Sequence, residues 1–329
     1  MIHVRTASRL HFGLLALPAG GVGHWPNLHG EAVVPARQFG GVGLMVDAPG
    51  VQIAVMPAAA WSAEGPLAER ALAFARRFAA TLPADALPPQ RLTIEHCAPA
   101  HSGLGTGTQL ALAVARALAV AAGQPNLGAV ELARRVGRGL RSALGIHGFA
   151  QGGFLVEAGK RREQEIAPLV ARADFPEPWR VLLVLPEDSA GRHGIEEQQA
   201  FALLADRSRA LAQTEALCRL VLLGMLPALA EGDLSAFGEA LYDFNARVGE
   251  MFAPVQGGTY ASPLVSELVA YLRRQGVRGV GQSSWGPTVF ALAADAAQAE
   301  ALASGVGSRF GMAVRTVIAR PANRGQMTG

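Results

Sequence analysis

The stretch CAPAHSGLGTGTQLALAVARAL, Cys97 to Leu118, constrains the fold more than any other part of the chain. The alternation of apolar and polar residues in QRLTIEHCA predicts a strand leading into it. Three glycines, Gly103, Gly105 and Gly107, then free the backbone to take positive φ. An apolar helix is predicted over Thr106 to Ala122, with Gly123 as its cap. The first amides of such a helix lack internal partners and sit at the positive end of its dipole, so the turn can hold an anion, phosphate most readily. Ser102, Thr106 and Thr108 offer hydroxyls, and with Leu104 and Gln109 they complete the candidate phosphate-binding set. The same residues also fit a Thr-capped helix start whose glycines serve only a tight turn. No Gly-Lys-Ser/Thr follows, so this is not the common P-loop, and a dinucleotide-binding βαβ unit does not fit.

The rest of the chain sets limits. Its 329 residues allow one large domain or two packed ones, and a boundary is predicted near ARADFPEPW, where Pro176 and Pro178 punctuate the chain. With 50% hydrophobic and 17% charged residues, disorder is excluded. Two cysteines, Cys97 and Cys218, without metal-ligand spacing argue against a disulfide framework and for a reducing, cytoplasmic setting. The N-terminus lacks the long apolar core of a signal peptide. The apolar runs Leu110 to Ala122 and Leu217 to Ala230 read as too short for a membrane span, so no membrane partner is expected. Basic residues fall in short clusters such as ARRVGRGLR, GKRRE and YLRRQ, which read as exposed helix faces or loop ends. Without a basic stripe or interleaved aromatics, no nucleic-acid partner is expected. LGAVELARRVGRGL is predicted as one amphipathic helix, and helices are predicted over Ile195 to Leu211, over Thr214 to Ala230, and after Asp233 as N-cap. The second half alternates strands and helices in an α+β manner.

PAHSGLGTG resembles the Pro-x-x-x-Gly-Leu-Gly-Ser-Ser motif of the GHMP kinase superfamily. TASRLHFGLL and VGQSSWGPTVFAL stand where that superfamily has its N-terminal and C-terminal motifs. The resemblance implies a two-domain α+β fold with the active site between its halves. Residues 1–172 would form a half like ribosomal protein S5 domain 2, carrying the phosphate-binding turn. Residues 173–329 would form a ferredoxin-like half.

The departures from the kinase pattern narrow the resemblance. Kinases of this superfamily place an Asp after the second helix, whereas RSALGIHGFAQGGFLVEAG has His147 near that place and no Asp or Glu from Arg141 to Leu155. A carboxylate is the usual partner for a hydroxyl proton beside a triphosphate. The C-terminal motif carries Gln282, Ser283, Ser284 and bulky Trp285 before Gly286 in place of small residues. Together with SRLHFGLL and GGVGLMVD, these segments resemble the β-ribofuranosylaminobenzene 5′-phosphate synthase family, a GHMP offshoot on the tetrahydromethanopterin pathway. The implied reaction joins 4-aminobenzoate to phosphoribosyl diphosphate and releases CO2 and diphosphate. Mg2+ is implied as a cofactor, and ATP is not expected. The substrates are small molecules, and a homodimer is compatible with the sequence. The alternatives are an ATP-dependent small-molecule kinase and a non-catalytic ligand-binding protein.

Within that reading, the turn Ser102 to Thr108 would bind phosphate oxygens. Asp47 is a candidate Mg2+ or ribose ligand, or else a solvated strand end. Arg9 and His11 alternate on one strand face and could reach a phosphate or a carboxylate, or could simply pack. His147 is a candidate for proton handling or a plain loop histidine. Trp285 is a candidate stacking platform for the aromatic acceptor or a core residue. Gln282, Ser283, Ser284 and Gly286 are candidate substrate contacts, and Arg192 could meet the substrate from the second half.

Overall fold

The computed structural model describes residues 1–16, 24–26, 32–35, 37–187 and 207–329. The first half is built on a mixed sheet. Strands β1 (Ile2–Leu14), β4 (Gly41–Pro57), β5 (Ser62–Glu64), β6 (Gln90–Cys97) and β13 (Met327–Thr328) run in the order β13-β1-β4-β6-β5. β7 (Phe154–Glu157) pairs with β4, and β8 (Leu169–Ala173) pairs with β7. β2 (His24–Pro26) and β3 (Ala32–Pro35) form a separate antiparallel pair. Helices α1 (Ala68–Ala79), α2 (Thr106–Ala121), α3 (Ala129–Arg135) and α4 (Leu144–Gln151) belong to this half. Val4, Ile53 and Val55 of the sheet share a core with Ala71 and Phe78 of α1 and with Leu110, Val114 and Leu118 of α2.

The second half has a four-stranded antiparallel sheet in the order β10-β11-β9-β12, from β9 (Arg180–Pro186), β10 (Val280–Gln282), β11 (Val289–Ala293) and β12 (Val314–Ala319). Its helices include α5 (Arg207–Leu220), α6 (Leu226–Glu231), α7 (Leu234–Gln256), α8 (Pro263–Arg274) and α9 (Ala296–Phe310). The period-two alternation of β9 splits its side chains between two cores. Leu182 and Val184 pack with Val265 and Leu268 of α8 and Val306 of α9. Val181 and Leu183 join Phe237 and Phe244 of α7 and, from the first sheet, Leu10, Phe12, Leu44 and Phe154. One core is therefore shared by both halves, with the Phe12 and Phe290 rings 4.9 Å apart across it. Burying each such side chain contributes about 1.5–3 kcal/mol.

The α+β architecture matches the expectation, with local differences. The helix expected over LGAVELARRVGRGL stops at Arg135, because Gly137 and Gly139 turn the chain at φ 67° and 91°. The apolar run near Leu217 is longer than the sequence suggested: Ala212–Glu231 is long and apolar enough to cross a membrane by length and composition. Its Leu217, Val221, Met225 and Leu229 enter the shared core instead. Asp233 caps α7 as expected, accepting the Ala236 amide at 2.9 Å. Part of the helix expected over 195–211 lies outside the described residues. β13 returns to β1, with Val4 opposite Thr328, so the last residues belong to the first sheet.

Candidate active site

The site begins at β1. Its pairing with β4 shifts register between Thr6 and Ser8, and beyond the shift Leu10 and Phe12 enter the shared core. Alternation then puts Arg9 and His11 on the opposite face, where both line a cavity of about 1130 Å³. The glycine turn forms the facing wall, tied to β1 by the Arg9 amide, which donates to the Leu104 carbonyl at 2.9 Å. Gly103 and Gly105 take φ 85° and 70°. A Cβ on Gly103 would stand 2.5 Å from the Ser283 carbonyl oxygen, and one on Gly105 would stand 3.0 Å from Arg9 Nε. Gly105 is the N-cap of α2, and no side chain caps that end. The Thr-capped reading of the turn is therefore excluded. Ser102 Oγ and Thr106 Oγ1 donate instead to the Pro99 carbonyl, at 2.9 and 3.1 Å. These hydroxyls shape the turn, while Gly103 to Thr108 border the cavity.

The second half closes the cavity through a hydrogen-bonded seam. Buried Ser283 Oγ donates to the Gly103 carbonyl at 2.7 Å and accepts the His11 amide at 3.1 Å. Asn245 of α7 donates to the Phe12 carbonyl at 2.6 Å and the Gln282 carbonyl at 2.9 Å, and accepts the Gln282 amide at 2.9 Å. Gln282 Oε1 in turn accepts the Ala261 amide at 2.7 Å. The Ser284 amide donates to the His11 carbonyl at 2.8 Å. Gln282, Ser284, Trp285 and Gly286 line the cavity, and the Trp285 ring lies 4.4 Å from that of Phe252, another lining residue.

The charge of the wall is one-sided. Arg9, Arg70, Arg138, Arg141 and the run Lys160 to Arg162 line it, against a single acid, Glu163, among the described residues. Arg70 and Arg138 meet at Gly107, where a Cβ would stand 2.5 Å from Arg70 Nη2 and 3.1 Å from Arg138 Nη2. Arg138 is held there by a 3.0 Å hydrogen bond to the Gly107 carbonyl and by the Phe74 ring, 4.9 Å below its guanidinium. Burial, then repulsion from Arg70 and Arg77, brings the Arg138 pKa down to about 10. Burial likewise lowers that of Arg9 to about 10, although the charge of Glu157 opposes this. Arg9 Nη1 and Arg138 Nε are buried without a hydrogen-bond partner. Like charges gathered around an uncapped helix N-terminus are stabilised by a bound anion.

Several expectations are corrected. Asp47 is exposed and is not on the wall; its Oδ1 accepts the Arg320 amide at 2.8 Å, which fixes it to a strand edge. His147 lies on α4 with Nε2 2.8 Å from the Ala167 carbonyl, also away from the cavity. Gln109 is fully buried between Thr6 Oγ1 and the Gly145 carbonyl, so it joins helix to sheet. Ser283 acts on the site through its neighbours rather than from the wall. Arg192 lies outside the described residues. The sequence reading missed Arg70, Arg138, Arg141, Lys160 and Asn245, all on the wall. It also missed Glu157, a fully buried carboxylate behind Arg9 and His11.

Among the described residues, no three His, Cys, Asp or Glu side chains gather to hold a metal ion. The wall has the donors for an anion.

The family model described as "GHMP kinases N terminal domain" matches residues 67–153, and "GHMP kinases C terminal" matches residues 225–311. The chain is 32% identical to the β-ribofuranosylphenol 5′-phosphate synthase of Methanothermobacter thermautotrophicus, covering 88% of each chain. It is 30% identical to the synthase of the same name from Archaeoglobus fulgidus, covering 99% of this chain and 98% of that one. The chain belongs to the β-ribofuranosylphenol 5′-phosphate synthase family. The GHMP fold of this synthase family is also that of a homoserine kinase structure from Cytophaga hutchinsonii, with a TM-score of 0.68 at 15% identity, covering 100% of this chain and 97% of that one. As a member of a synthase family the chain is an enzyme. The relatives' names carry a phenol where the sequence resemblance implied an aminobenzene.

Proposed function

We propose that the enzyme transfers the ribose 5-phosphate unit of phosphoribosyl diphosphate to the ring of an aromatic acid, releasing CO2 and diphosphate. The acceptor is a 4-substituted benzoate, hydroxy or amino, and the phenol in the relatives' names favours the hydroxy acid. The observation that carries this reading is the cationic wall around the uncapped N-terminus of α2. Phosphoribosyl diphosphate carries phosphate at both ends, and several separate basic side chains line the cavity to receive them. Charge develops on the diphosphate as its bond to ribose C1 breaks, and fixed donors aimed at it stabilise that change. Each charge-assisted hydrogen bond contributes about 1.5–3 kcal/mol. Trp285 and Phe252 supply an apolar flank for a flat acceptor. The ring carbon bearing the carboxylate bonds to C1, and loss of CO2 restores aromaticity. No nucleophilic side chain takes part. Mg2+ enters the proposal only as a counter-ion brought by the diphosphate, with no residue assigned to it, and ATP has no role.

The test is incubation with phosphoribosyl diphosphate, Mg2+ and carboxyl-labelled 4-hydroxybenzoate or 4-aminobenzoate. Labelled CO2 and diphosphate should appear in equal amounts. No release from either acid, with phosphorylation of a small alcohol by ATP, would replace the reading with a kinase.

A further inference from the structure

Glu157 ends β7 opposite Gly41 of β4. It is fully buried, yet only one of its carboxylate oxygens is satisfied by the backbone: Oε2 accepts the Ala143 amide at 2.6 Å, while Oε1 has no hydrogen-bond partner. The place a Cβ would take on Gly41 shows where Oε1 points. That place is 3.1 Å from His11 Nε2 and 3.3 Å from Glu157 Oε1. His11 Nε2 and Glu157 Oε1 both border the space the glycine leaves open, with no hydrogen bond between them at rest, and His11 also lines the cavity. A side chain at position 41 would fill that gap.

Building on the synthase reading, we propose that Glu157 is a positioning residue and proton acceptor acting through His11, and that the pair takes the hydroxyl proton of a phenolic acceptor. His11 receives the phenol proton on one ring nitrogen and, once its gap to Glu157 tightens to hydrogen-bond length around the bound acceptor, passes the proton of Nε2 to Glu157 Oε1. The phenolate pushes electrons into the ring, the ring carbon bearing the carboxylate bonds to ribose C1, and the C1–diphosphate bond breaks. The electrons of the carboxylate–ring bond return to the ring as CO2 departs. The proton then goes back along the pair to the phenolate oxygen of the product. No atom or electron is left over, and no oxidant or reductant is needed. An amino acceptor needs no such pair, because its nitrogen lone pair enters the ring without losing a proton first.

The surroundings suit the task. Burial, then the charge of Arg9, holds His11 well below the ordinary histidine value, so the imidazole rests neutral and needs Glu157 as the final acceptor. Burial raises the Glu157 carboxyl to about 7, against the hydrogen bonds of Ser142 and Ala143 and the charges of Arg9 and Lys160, which lower it. These are the groups that face it from β1, from the start of α4 and from the segment after β7. A carboxylate titrating near neutrality is matched to reversible proton transfer.

The test uses Glu157→Gln, which keeps an oxygen for the Ala143 amide and removes the charge. The readout is the ratio of kcat with 4-hydroxybenzoate to kcat with 4-aminobenzoate. It should fall about a hundredfold, the lower part of the range for general base catalysis. A merely structural residue would slow both acceptors alike, so an unchanged ratio in a folded variant overturns the proposal. If Glu157→Gln does not fold, His11→Asn carries the same test with the same two outcomes. If the wild type uses the hydroxy acid alone, the pH profile decides. kcat/KM should rise to a plateau through about 7 in the wild type, and that limb should vanish in the variant; a retained limb overturns the proposal. A wild type active on the amino acid alone overturns it too. A wild type that releases CO2 from neither acid removes the synthase reading itself, a result distinct from an unchanged ratio.

Discussion

Gly107→Ala should leave the fold intact while weakening the hold on phosphoribosyl diphosphate. Gly107 sits in the first turn of α2, and alanine is the better helix former by at most about 0.5–1 kcal/mol. The new Cβ would meet only the far ends of flexible side chains, Arg70 Nη2 at 2.5 Å and Arg138 Nη2 at 3.1 Å. Both guanidiniums can swing toward solvent, at the expense of the Arg138 bond to the Gly107 carbonyl and its place over Phe74. Swung out, they no longer converge on the helix start. Loss of one charge-assisted contact to the substrate removes about 1.5–3 kcal/mol. That corresponds to roughly a tenfold to 150-fold rise in Kd. Calorimetric titration with phosphoribosyl diphosphate, beside thermal melting, reads both quantities. An unchanged Kd in a stable variant would refute the assignment of this end of the cavity to a phosphate. A lost Kd with a collapsed melting temperature would show that Gly107 is needed for packing alone.

Three further outcomes follow from the same geometry. Ser283→Ala leaves the part-buried Gly103 carbonyl and the buried His11 amide short of a partner, so urea melts should show a loss of about 1–3 kcal/mol. Trp285→Leu removes a ring packed on Phe252; melting should report about 2–3 kcal/mol of destabilisation, and the acceptor KM should rise about threefold to tenfold with that of phosphoribosyl diphosphate unmoved. Because the folded state raises the Glu157 carboxyl from 4.5 to about 7, folded protein holds this proton more tightly than unfolded protein, and its stability falls as pH rises between those values. Relative to Glu157→Gln, the wild type should lose about 3 kcal/mol between pH 4.5 and pH 7.5 in denaturant melts; equal pH dependence would place Glu157 in a more polar setting.

The turn, α2 and the strand carrying Arg9 and His11 were legible because each rests on local signals, namely glycine placement and apolar periodicity. The basic wall was not. ARRVGRGLR and GKRRE look like solvated clusters in one dimension, and only the folded chain brings Arg138, Arg141 and Lys160 to the same cavity as the turn. Gly137 and Gly139 were a usable signal, since two glycines near the end of a predicted helix mark a break that can turn Arg138 inward. Glu157 lies two residues beyond the carboxylate-free stretch Arg141 to Leu155, on the strand that Leu155 shares, so the sequence pattern assigned it no role. Asp47 and His147 carried the right chemistry, but their backbone surroundings point them to Arg320 and Ala167. Sequence spacing does not encode such directions.

The core common to the two sheets also decides how the cavity can be filled. Parting the halves would bare Leu10, Phe12, Phe244 and Phe290 together, and would break the Asn245 bridge. That costs on the order of 5 kcal/mol or more, so the halves rest closed. The socket is cut before the guest arrives. Arg161 and Arg162 are exposed to solvent and also line the cavity. Anions are drawn in by the same charges that later resist their leaving. Salt that screens these charges should therefore weaken both the capture and the retention of an anion.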